Sequence, residues 1–224
     1  VIFAFDFLSM TNLFEIKICG VNDKNSMLAA IDAGADYIGL VFYKNSPRNL
    51  ELPIAESLIP FRNKKSKIVA LTVDAKDEFI IEIKERISPD YFQLHGNETP
   101  QRCKEIRSNF NTPIIKGLGI RDKTNLEEST KSFENICDIM ILDAPSSNLP
   151  GGNGKQFDWN ILKGYNSNSK WMLAGGLDVN NVKDAIKSTK APGIDVSSGV
   201  EISKGIKDPA LIRNFITKCR NING

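Results

Sequence analysis

One histidine, His95, serves the whole 224-residue chain, so a histidine-rich metal centre is excluded. Four cysteines, Cys19, Cys103, Cys137 and Cys219, are scattered with no CxxC pair. That spacing excludes a zinc site and a disulfide framework, and unpaired thiols fit a reducing cytoplasm. Neither sign of charge is in excess. The 29 Lys and Arg nearly balance the 27 Asp and Glu, leaving a net charge of +2. Nothing therefore argues for nucleic acid or a membrane surface as partner. No apolar run approaches the roughly 20 residues of a membrane span. Val1–Leu8 is apolar but contains Asp6 and lacks a basic start or a small-residue cleavage site, so it is not read as a signal peptide. Met10 is a candidate natural start. Residues 1–13 are set apart as an N-terminal extension of unknown role, and 14–224 are read as one domain. At this length a single α/β barrel is a natural fit.

Apolar runs alternate with amphipathic stretches from Glu15 onward. Strands are expected at Glu15–Cys19, Tyr37–Phe42, Lys67–Val73, Tyr91–Leu94, Pro113–Gly117, Ile139–Leu142, Lys170–Ala174 and Gly193–Val196. Helices are expected at Asn22–Ala33, where Gly34 marks the stop, and at Lys76–Ile87, with apolar residues at helical spacing. Others are Pro100–Ile106, opened by proline, Val179–Ile186 and Ala210–Cys219. Weaker helical patterns lie at Leu52–Ile59, Leu126–Phe133 and Asp158–Leu162. Eight strands alternating with helices imply a parallel α/β protein and, at this count, a closed (β/α)8 TIM barrel. An open doubly wound sheet would usually carry a glycine-rich loop after its first strand; here that strand runs into Cys19-Gly20-Val21-Asn22.

In such a barrel the C-terminal ends of the strands face the ligand. Cys19 ends the first strand and Asp143 follows the apolar run Ile139–Leu142. A thiol and a carboxylate meeting across one mouth would make a base and acid pair. An ionised Asp143 is costly to bury unless it faces a polar pocket. Asp195, at the end of the eighth strand, suits either a substrate hydroxyl or a turn cap. Arg48, just past the second strand, is placed to bind a carboxylate or phosphate. His95 ends the fourth. Gly175-Gly176 and Ser198-Gly199 follow the seventh and eighth strands, where barrels often bind phosphate through backbone N–H groups. The irregular loop Ala144–Lys155 is a candidate lid. Cys103, Cys137 and Cys219 read as structural.

Several segments, in order, resemble phosphoribosylanthranilate isomerase. They are Lys17-Ile18-Cys19-Gly20, Gly39-Leu40-Val41-Phe42 with Ser46-Pro47-Arg48, Gln93-Leu94-His95-Gly96, and Leu142-Asp143. Gly152-Asn153-Gly154-Lys155 with Phe157-Asp158-Trp159, Ala174-Gly175-Gly176-Leu177, and Asp195-Val196-Ser197-Ser198-Gly199-Val200-Glu201 complete the set. The likeness runs from about Ile16 to the C-terminus and implies an Amadori rearrangement of N-(5'-phosphoribosyl)anthranilate in tryptophan biosynthesis. By position Cys19 matches the family's general base and Asp143 its general acid. Arg48 matches a residue near the anthranilate end, and the two glycine loops match the phosphate site. His95 and Asp195 join them as substrate-binding candidates. The resemblance implies no cofactor and no metal, a small phosphoribosyl substrate as partner, and a monomer or homodimer in the cytoplasm. A histidine-pathway or dual-substrate barrel is the nearest alternative, but such barrels typically carry aspartate where this chain has Cys19. A non-catalytic phosphate-binding barrel is the other.

Overall fold

Along the first strand Glu15, Lys17 and Cys19 alternate with Ile16 and Ile18, and this period of two divides the molecule. The computed structural model describes residues 14–145 and 158–221. Eight parallel strands close into a barrel in the order β1 to β8. They are β1 (Glu15–Cys19), β2 (Tyr37–Phe42), β3 (Lys67–Thr72), β4 (Tyr91–Leu94), β5 (Ile114–Gly119), β6 (Ile139–Asp143), β7 (Trp171–Leu173) and β8 (Gly193–Val196). The ring shuts where β1 pairs with β8, placing Lys17 opposite Asp195. The (β/α)8 barrel expected from the sequence is thus the fold.

The outward-facing residues, Ile16 and Ile18 among them, join the large core between strands and helices. A separate cluster of Tyr37, Val69, Ile115, Ile139, Ile141, Met172 and Ala174 comes from the strands and the residue after β7, and fills the barrel interior. Higher up, Cys19, Val41 and Leu71 form a third group. Apolar packing therefore fills the lower barrel, and the polar groups come at its C-terminal end.

The helices are α1 (Lys24–Ala33), α2 (Leu52–Leu58), α3 (Asp77–Ile87), α4 (Pro100–Phe110), α5 (Lys123–Phe133), α6 (Val182–Thr189) and α7 (Pro209–Arg220). Caps account for several boundary differences. Asp23 accepts from Ser26 N, so α1 starts after Asn22. Asp122 accepts from Asn125 N and starts α5 ahead of Leu126. Asn111, in the left-handed region, stops α4 one turn beyond Ile106. Asp158–Leu162 forms only a 3-10 turn over Trp159–Leu162. A short antiparallel pair, β9 (Glu201–Ser203) and β10 (Ile206–Lys207), follows β8 and has no counterpart in the sequence reading. Residues 1–13, and the loop Ala144–Lys155 beyond residue 145, lie outside the described residues. Among the described residues no helix is long and apolar enough to cross a membrane.

Candidate active site

A cleft of about 750 Å³, open mouth included, sits over the C-terminal ends of the strands. It is lined by residues from around the ring, with Cys19 on the β1 side and Asp143 on the β6 side. Arg48, His95, Asp195, Gly175, Gly176 and Ser198 also line it. Gly199 does not. Its Cα packs against the loop after β7, where a Cβ would fall 1.9 Å from the Leu177 carbonyl oxygen. An isolated bridge between Asp178 and Gly199 ties the two loops together.

The Asp143 side of the cleft depends on a glycine. His95 follows β4 and Asp143 ends β6, with β5 between them. Gly117 on β5 has no side chain, and a Cβ there would fall 2.1 Å from His95 Nδ1. The imidazole occupies that space and brings Nε2 to 3.6 Å from Asp143 Oδ2. Gln93 Nε2 lies 3.0 Å from His95 Nδ1. An amide donor at Nδ1 leaves the ring proton on Nε2, facing the carboxylate. Asp143 Oδ1 accepts from the Ala144 amide at 2.7 Å. Below His95, the buried Lys116 ammonium binds the carbonyls of Leu94 and Gly96 and the Glu98 carboxylate. Glu98 in turn accepts from the amides of Asp74 and Gly96, pinning the turn that carries the histidine.

The Cys19 side of the cleft holds a buried charge pair. Lys17 Nζ donates to Asp195 Oδ1 at 2.9 Å. Burial works against the ammonium, but Asp195 and the neighbouring thiol outweigh it and hold Lys17 above the ordinary lysine range. Burial pushes the Cys19 thiol up. Asp195 adds to that, while Lys17 and Lys207 oppose it without cancelling it. Cys19 is therefore a thiol near neutral pH.

Arg48 is buried and its fork is engaged inside the molecule. Nε and Nη2 donate to the two Glu201 oxygens at 2.6 and 2.9 Å. Gly20, at φ 79°, makes room for it, since a Cβ there would fall 2.6 Å from Arg48 Cδ. Lys207 donates to the same carboxylate at 2.7 Å and to the Ser197 carbonyl at 2.8 Å. Ser197 Oγ then donates to the Cys19 carbonyl at 3.0 Å. One polar chain thus runs from Arg48 to the end of β1. Opposite the glycine loop, Val41, Tyr43, Leu71 and Val73 give the cleft an apolar wall. Gly175 and Gly176 adopt φ of 87° and 67°, a backbone shape that favours glycine.

Sequence reasoning missed Lys17, Glu201, Lys207, Glu98 and Lys116 as parts of this end of the barrel. For Lys17 a signal existed, because it shares the inward face of Cys19 at a spacing of two.

The chain matches the family model described as N-(5'-phosphoribosyl)anthranilate (PRA) isomerase over residues 16–218. It is 41% identical over 212 residues to the N-(5'-phosphoribosyl)anthranilate isomerase of Brucella canis, covering 93% of this chain and 95% of that one. Its fold is similar to the crystal structure of phosphoribosyl anthranilate isomerase from Thermotoga maritima, with a TM-score of 0.83 and 28% identity. That likeness covers 92% of this chain and 98% of the other. A phosphoribosyl anthranilate isomerase in complex with reduced 1-(o-carboxyphenylamino)-1-deoxyribulose 5-phosphate is similar at a TM-score of 0.80 and 28% identity, with the same coverage.

Proposed function

The chain belongs to the N-(5'-phosphoribosyl)anthranilate isomerase family, and from that premise we propose that it converts N-(5'-phosphoribosyl)anthranilate to 1-(2-carboxyphenylamino)-1-deoxyribulose 5-phosphate in tryptophan biosynthesis. The observation that carries this reading is the convergence of Cys19 and Asp143 on one cleft from β1 and β6. An Amadori rearrangement needs an acid and a base at different positions of one sugar. Asp143 gives a proton to the ribose ring oxygen as the C1'–O bond breaks, and the nitrogen lone pair forms the Schiff base. Cys19, as thiolate, removes the C2' proton. The electron pair left on C2' forms the enolamine double bond and returns charge to nitrogen. Ketonisation then completes the product. Each proton transfer of this kind contributes roughly 10²–10⁴-fold.

The rest of the cleft supports the same orientation. The loop at Gly175-Gly176 with Ser198 takes the phosphate, and Gly199 holds that loop in place. The apolar wall of Val41, Leu71 and Val73 takes the anthranilate ring, with Arg48 beside its carboxylate. His95 supports Asp143 as it becomes a carboxylate, and Asp195 serves the sugar end. These groups all come from one chain, so a monomer or a homodimer would carry a complete site. Residues 1–13 are taken as an extension to the 14–224 barrel, and the cytoplasm as its compartment.

Complementation of a tryptophan auxotroph lacking this isomerase tests activity and substrate together. Growth should be restored by the wild-type chain and lost with Cys19→Ser or Asp143→Asn. Failure of the wild type to complement, with soluble protein present, would overturn the reading.

A further inference from the structure

Lys17 is fully buried yet is absent from the cleft lining, so it lies beneath the site and does not meet the substrate. It stands two residues before Cys19 on β1 and shares its inward face. Gly39 on β2 pairs in register with Cys19. The space left by its missing side chain is shared, because a Cβ there would fall 3.1 Å from Cys19 Sγ and 3.2 Å from Lys17 Nζ. Ammonium and thiol therefore face each other across one small gap, and Asp195 holds the ammonium there from the other side.

We propose that Lys17 is a positioning residue that makes Cys19 usable as a base, its fixed ammonium stabilising the thiolate from below while Asp195 moderates that effect. This rests on the reading of Cys19 as the general base. A thiol enclosed by Val41 and Leu71 resists ionising. An opposite charge at such close range favours the ionised form by roughly 1–3 pH units. The charged and titratable groups around the thiol are Lys17 on β1, Asp195 on β8 and Lys207 on β10, with Arg48, Tyr43, Asp143 and His95 lining the same cleft. Lys207 is spent on Glu201 and Ser197. Lys17 is the cation adjacent to the sulfur. A plain alternative is that the Lys17 and Asp195 pair only braces β1 against β8, where the two are in register.

The two roles differ in sign. Iodoacetamide alkylation of the full chain, quantified at Cys19 by mass spectrometry across pH, reads the thiol's midpoint directly. Lys17→Met should raise that midpoint by about one pH unit or more. Asp195→Asn, which keeps size and removes the opposing anion, should lower it. A brace would give shifts of the same direction in both variants, or no shift in folded Lys17→Met; either result overturns the proposal. Should Lys17→Met fail to fold, Asp195→Asn decides alone, since a raised or unchanged midpoint contradicts it. At neutral pH, kcat/KM of Lys17→Met should fall by the same factor as the thiolate fraction read by alkylation. An alkylation shift without that fall would leave the influence of Lys17 on the thiol standing and remove Cys19 as the base.

Discussion

His95 Nε2 lies 3.6 Å from Asp143 Oδ2, although a whole strand separates their parent strands. The contact exists because Gly117 leaves β5 bare at that level. Gly117→Ala puts a methyl 2.1 Å from the His95 Nδ1 position, so the ring must move. Misplacement of a catalytic support by about 1 Å can cost on the order of 100-fold. We expect kcat to fall about tenfold to 100-fold, with the inhibition constant for inorganic phosphate unchanged. Steady-state kinetics with phosphate as competitor checks this, and an unaltered kcat in the folded variant would dismiss the support role of His95.

Cys19→Ser keeps size but removes accessible thiolate basicity, so turnover should drop by orders of magnitude while phosphate inhibition persists. In the wild type burial pushes the thiol up, so alkylation of Cys19 should show a midpoint above the ~8.5 of an ordinary cysteine. Mass spectrometry across pH measures it directly. A midpoint below pH 7 would contradict a thiol held up by its burial.

Asp143→Asn retains shape and loses the transferable proton. Its kcat should collapse with little change in affinity for a product analogue. A kcat close to that of the wild type would shift the acid role to another residue, with Asp195 the first to test.

The phosphate assignment predicts that Gly176→Val raises KM strongly. A branched residue at φ 67° is strained, and its side chain crowds the anion. Inorganic phosphate or sulfate should compete with substrate in the wild type. A crystal soaked in sulfate with the anion elsewhere on the barrel mouth would refute it.

Glu201 carries a pH prediction for stability. Burial would raise its carboxyl, but the Arg48 and Lys207 contacts and the Gly205 amide overcome this and hold it at about 2. A folded pKa below the unfolded one stabilises above the unfolded value of roughly 4.3 and is lost as pH falls toward the folded value. Urea midpoints should thus decline between about pH 4.5 and 2 in the wild type. Glu201→Gln should lower stability at neutral pH and flatten that decline. An equally steep fall in the variant would assign the acid sensitivity elsewhere.

Much of this was legible in the chain because barrel strands are buried on both sides and announce themselves as apolar runs. Cys19, Asp143, His95 and Asp195 could be placed at strand ends for the same reason. Lys17 and Lys116 escaped because a lysine inside an apolar run reads as an exposed position. Their burial depends on neighbours far along the chain, Asp195 for one and the carbonyls around Gly96 for the other. Arg48 reads in the sequence as a binder of carboxylate or phosphate, but nothing there shows that Glu201 occupies its fork. The β9 and β10 pair that presents Glu201 is too short to show an alternating pattern.

The seam between β1 and β8 joins residues far apart in the chain, with Lys17 and Asp195 178 positions apart. Contacts of such separation form late and slowly when a chain folds, because the intervening loop must first lose its freedom. A partly folded barrel can hold most of its helices and strands while Cys19 still lacks its neighbour across the seam. Recovery of turnover after dilution from denaturant is therefore a clock for ring closure. It should lag behind the return of far-ultraviolet ellipticity.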